Sequence, residues 1–124
     1  MIVDHIGIVL LVSGAFTLLP IVIFLLPAHG TRLLFGVDAA DGIGGLLTRH
    51  WSLLAPSLGA LLIYAAWHPE LRVPLMLAAG VEKAGLVGLI VASSKEPYAA
   101  RLRPIAVFDS VIVLVYAIYL CHEL

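Results

Sequence analysis

Glu82 and Lys83 stand at the middle of an apolar stretch that runs from Pro74 to Ser93, and Asp109 stands inside another, Pro104 to Leu120. A charge at that depth of a bilayer costs roughly 2.5–3.5 kcal/mol on insertion scales, so it faces protein or a wet cavity rather than lipid. Neighbours on a helix project about 100° apart, so Glu82 and Lys83 make a poor pair with each other. Asp109 is the natural partner for Lys83, and Arg49 or Lys83 for Asp109. Trp51, two residues beyond Arg49, brings an indole to the same set. Glu82, Lys83, Asp109, Arg49 and Trp51 are therefore the candidate ligand-binding or ion-pair network. Two carboxylates with one or two cations suit three roles: a buried structural network, a polar floor for a ligand, or a proton-coupled site.

Other chemistry is poorly served. No nucleophile elbow is present and no Ser/His/Asp set can be placed, so no catalytic residue is assigned. His5, His68 and His122 fall at one end of the apolar stretches, and His29 and His50 at the other. No His-x-x-x-His, Glu-x-x-His or Cys-x-x-Cys pairing offers metal ligands on one helix face. A cluster of His5, His68 and His122 with Asp4, Glu70 and Glu123 would have enough donors for a metal. Interfacial histidines at helix ends are the plainer reading, and no metal or cofactor is assigned. Gly42-x-Gly44-Gly45 follows no strand, which removes the dinucleotide reading.

The elements that position the charges are set by composition. Of 124 residues, 62% are hydrophobic and 12% charged, and mean hydropathy is +1.11. Soluble domains run near 45–50% apolar and about 25% charged, and a small soluble fold cannot hide so much apolar surface. The expected fold is all-α, a single domain of four transmembrane helices, with spans at about 6–26, 51–67, 74–93 and 104–120. The net charge of −1 leaves no footprint for nucleic acid. One cysteine, Cys121, cannot form an internal disulfide. No basic segment precedes the first apolar run, so that run is read as a mature span rather than a cleaved signal. Neither chain end carries a lipidation pattern.

Pro20 should bend the first span and Pro56 the second. Ser13 and Thr17, four apart, share one face, and their hydroxyls can bond back to the helix or across to a neighbour. Residues 27–48 form a Gly- and Asp-rich connector, longer than a bundle requires, which points to function or to a cap over the bundle. Within it, Thr31 to Phe35 suits a short interfacial turn. Trp51 and Trp67 lie 16 residues apart, about 24 Å on a helix, the height between two aromatic belts. The short turn around Pro69 should place the second and third spans side by side. On the third span Gly80, Ala84 and Gly88 form a small-xxx-small ridge for close helix contact, inside the bundle or between protomers. Glu82 points roughly 200° away from that ridge.

An even number of spans puts both termini on one side, here the terminal side, where Arg72 is the only Lys or Arg. The opposite, basic side holds Arg32, Arg49, Lys95, Arg101 and Arg103. The positive-inside rule makes the basic side cytoplasmic and leaves both termini outside the cell membrane.

This layout resembles the small four-span bacterial membrane proteins of the DoxX-like kind. The resemblance covers the whole chain in layout: the first span, the Gly/Asp connector, Arg49-His50-Trp51, Pro69-x-x-Arg72-x-Pro74, and the span bearing Glu82. It implies a fold more than an activity. Small multidrug resistance transporters share the length and span count, but their essential glutamate lies in the first span, where this chain has no acid. Fluoride channels have a Gly-rich stretch before an Arg, like Gly44 to Arg49, but near the N-terminus, whereas here a complete span precedes it. The expectation is a non-enzymatic protein of the bilayer that binds a lipid or hydrophobic small molecule between its helices. An oligomeric small transporter or channel comes second, and an accessory subunit of a larger membrane complex third.

Overall fold

The computed structural model describes residues 5–38, 41–96 and 99–123. Every regular element among them is helical: α1 (Ile6–Leu18), α2 (Ile21–Leu25), α3 (Pro27–Phe35), α4 (Gly42–Ala65), a 3₁₀ turn (Pro69–Leu71), α5 (Arg72–Ala92) and α6 (Ala99–Glu123). Four segments are long and apolar enough to cross a bilayer: Ile6–Leu25, Gly42–Ala65, Pro69–Ala92 and Ala100–Glu123. Their outward faces are apolar as well; Leu54, Val81, Val107 and Leu114 are each at least 60% exposed. Helices apolar all round are built for hydrocarbon, not water.

The boundaries differ from the sequence expectation in an instructive way. The second span begins at Gly42, nine residues before Trp51, and the fourth at Ala99, five before Pro104. Glycines and a proline lower helix propensity at those two starts, but propensity is a weak prior against tertiary packing. The prolines themselves act differently. At Pro20 the first span breaks, α1 ending at Leu18 and α2 starting at Ile21. α4 instead runs through Pro56 as one helix. The connector is also largely helical, as α3 over its first part and as the start of α4 from Gly42 on. Proline at the first position of α3 fits a helix start, and Gly36 closes α3 at φ +69°, a left-handed cap that side chains disfavour.

The helices associate as two principal pairs, α1 with α4 and α5 with α6, with α4 and α5 meeting through the turn between them. In the first pair the backbones nearly touch. A Cβ on Gly14 would lie 2.7 Å from the Gly59 carbonyl oxygen, and one on Gly59 2.7 Å from that of Gly14. Glycine at both positions is what permits the approach. At the turn, Arg72 closes the end of α4: Nε donates to the Ala65 carbonyl (3.0 Å) and an Nη to that of Ala66 (2.6 Å). A helix C-terminus leaves such carbonyls unpaired, and a cation there also meets the helix dipole.

The ridge of Gly80, Ala84 and Gly88 does not pack inside the chain. A Cβ at Gly80 or Gly88 would meet nothing within 4 Å, and Ala84 is exposed. The reason is helical phase. Met76, Ala79, Lys83 and Ile90 turn one face of α5 into the bundle, and the 3.6-residue period sends the ridge to the other side. The close glycine contacts lie elsewhere, at Gly14 with Gly59 and at Gly30 against the Val22 and Ile23 backbone.

The main cluster of the core lies in the terminal half, where Ile6, Leu10, Leu62, Ala65, Met76, Ala79, Ile112, Tyr116 and Tyr119 are buried together. The basic half buries fewer apolar side chains, Ile23 and Ile90 among them, and leaves open space between the helices.

Candidate functional site

At mid-depth the core gives way to a polar layer. Lys83 Nζ donates to Asp109 Oδ1 (3.1 Å) and to the Thr17 hydroxyl (2.9 Å). The Lys83 and Asp109 side chains are each 3% exposed, so the pairing expected from sequence is formed and fully enclosed. Thr17 in turn donates to the Ser13 carbonyl (2.6 Å). Ser13 bonds to Tyr116 across the bundle (2.5 Å) and weakly back to Leu10 (3.4 Å). Back-bonding and cross-helix bonding thus coexist on the Ser13–Thr17 face. Phe16 stacks on Phe108 at 4.1 Å beside them, fixing α1 against α6.

Asp109 lies ten residues from Ala99, about 15 Å or three turns into α6. A span starting at Pro104 would have left it only one turn or so from the helix end; the earlier start of α6 carries it to the middle of the helix.

Beyond this layer opens a cavity of about 810 Å³. Thr17, Lys83, Asp109 and Glu82 form its polar end. Phe16, Leu34, Phe35, Leu86, Leu102 and Ile105 are among its apolar walls. The walls also include the well-exposed Leu47, Val81 and Leu89, so the cavity opens to the outside of the bundle beside α4 and α5. Its size falls in the range of roughly 300–1,000 Å³ typical of small-molecule sites, and helix bundles commonly carry such sites between their helices. Leu34, Phe35 and Val37 reach it from α3 and the residues after it, so the connector does cap the bundle.

Glu82 is half-buried in the cavity wall. Its Oε2 is enclosed and meets no hydrogen-bond partner. The Trp51 indole N–H interacts with the carboxyl as a donor, though not at Oε2. Its ring packs on Phe35, centroids 6.2 Å apart, so Trp51 lines the cavity instead of marking the end of a span. Trp67, at 66% exposure, remains at the surface.

Arg49 does not join the network. Its Nε donates to the Phe24 carbonyl (3.0 Å), and its guanidinium sits 5.4 Å over the Phe24 ring. Leu26 leaves the helical region between α2 and α3, which strips the Phe24 carbonyl of its intrahelical partner. Arg49 supplies one, and Asp109 is left to Lys83. Thr17 and Tyr116 belong to the polar layer but were not in the sequence-derived set. Their signal was faint: Asp109 and Tyr116 are seven apart on one face of α6, as Ser13 and Thr17 are four apart on α1.

No group of three His, Cys, Asp or Glu side chains close enough to hold a metal occurs among the described residues, and Asp4 of the histidine cluster lies outside them. No known protein family, curated protein or solved structure matches the chain.

Proposed function

We propose that this multi-pass membrane protein holds a lipid or hydrophobic small molecule in the cavity between its helices. The observation that carries the reading is the cavity itself: an apolar chamber, open to the outside of the bundle and ending on ionised groups that hydrocarbon would not tolerate. A ligand with an apolar body and a polar end matches that division. No constellation among the described residues favours an enzyme. The DoxX-like layout belongs to the same proposal and rests on the order of spans and connector. So does the orientation, with the basic side cytoplasmic. It is supported by Arg72, the one opposing cation, being committed to the end of α4.

The test is native mass spectrometry of the protein released from lipid nanodiscs, with Gly85→Phe as the blocking variant. Gly85 lines the cavity, and a Cβ there meets nothing within 4 Å, so the ring fills space without disturbing the helices. The wild type should carry an adduct that folded Gly85→Phe lacks. An adduct retained by the blocked variant, or none on the wild type, ends the proposal.

A second reading, an oligomeric transporter, is favoured by the unpacked ridge of Gly80, Ala84 and Gly88. A strictly monomeric mass in nanodiscs counts against it.

A further inference from the structure

The charges at the polar end do not balance. Two carboxylates, Glu82 and Asp109, face the cavity with one ammonium, Lys83. That ammonium is already engaged, through Asp109 and Thr17. Arg49, the nearest cation in sequence to Trp51, is drawn off by Phe24. Glu82 therefore brings an unmatched negative charge and, at Oε2, an enclosed acceptor with nothing to accept from. A buried polar atom left unmet is costly, more so when charged. A bound molecule that set a donor against the carboxylate would offset that cost. The indole of Trp51 lines the same cavity, and aromatic rings attract cations.

From these features we infer that the ligand is a lipophilic amine: a protonated amino head seated on Glu82 and Trp51, with an apolar tail among Leu34, Leu86, Leu102 and Ile105. The inference rests on the ligand-binding reading and narrows it to one class. A carboxylate or phosphate head would meet two like charges. An alcohol would hydrogen-bond the Glu82 carboxylate but leave its charge unmatched. The amine alone meets both needs, since its N–H donates to that carboxylate and its charge opposes it.

Dodecylamine, dodecanol and dodecanoate share one tail and differ only in the head. Binding of each is read from Trp51 fluorescence in a Trp67→Phe background, which removes the other tryptophan. The full chain sits in zwitterionic nanodiscs, and empty nanodiscs correct for partitioning. Dodecylamine should bind at least about tenfold more tightly than dodecanoate, with dodecanol between. Glu82→Gln should bring the amine down to the alcohol's affinity while moving the alcohol by less than about twofold. Dodecanoate binding as tightly as the amine overturns the inference and leaves the ligand-binding reading standing. So does an amine preference that survives Glu82→Gln. Binding of none of the three overturns both. The wild-type ranking requires no charge variant, so the result holds even where Glu82→Gln fails to fold.

Discussion

Replacing Lys83 by methionine keeps the length of the side chain and removes its charge. Asp109, 3% exposed, then loses its 3.1 Å partner, and Glu82 shares the cavity wall with it. Deleting one member of a buried ion pair costs about 3–5 kcal/mol, because the surviving charge stays enclosed and unpaired. Lys83→Met should reach the upper end of that range, since it leaves two carboxylates without a cation. Asp109→Asn should cost less, nearer to about 3 kcal/mol, because the amide oxygen can still accept from Lys83, which also keeps its bond to Thr17. The double variant Lys83→Met/Asp109→Leu removes the enclosed pair together, and replacing a buried pair by apolar side chains is often close to neutral. It should be more stable than Lys83→Met alone by about 2 kcal/mol, some thirtyfold in the folding equilibrium. Reversible unfolding in mixed micelles, followed by far-UV circular dichroism, measures all three. A double variant no more stable than Lys83→Met alone, or a Lys83→Met loss below about 1 kcal/mol, would refute the claim that this pair is closed and desolvated.

Three further outcomes follow from the packing. Gly14→Ala drives a methyl to 2.7 Å from the Gly59 carbonyl and should cost about 1–3 kcal/mol, whereas Gly80→Ala, facing open space, should leave monomer stability unchanged or slightly raised; equal effects in thermal unfolding would contradict the helix pairing. Arg72→Ala leaves the carbonyls of Ala65 and Ala66 without their charged donor and should destabilise by about 1.5–3 kcal/mol, seen as a lower melting temperature that Arg72→Lys only partly restores. Cys121, the one cysteine of the chain, is exposed near the end of α6, so a membrane-impermeant maleimide applied to intact cells should label it; labelling only after the cells are opened would reverse the proposed orientation.

The amino-acid sequence alone determined the class of fold. Four apolar runs of sufficient length admit few structures in a bilayer, because every backbone group must be satisfied within its own helix. It also determined that Lys83 would seek Asp109, since the cost of a lone charge in hydrocarbon is independent of detail. Other features were decided only in three dimensions. Helical phase placed Lys83 inward and the Gly80 ridge outward on α5, and the ridge pattern alone carries no direction. Arg49 was removed from the network by a carbonyl that exists as a partner only because the chain leaves the helix at Leu26. The residues between Pro27 and Thr48 read as a connector because glycine and aspartate favour turns. Close packing of α3 on α2 at Gly30 outweighs that preference, and it brings Leu34 and Phe35 to the cavity wall. The cavity itself has no signature in the sequence. It is the volume that remains where the main apolar cluster fills one half of the bundle and gives way at the ion pair.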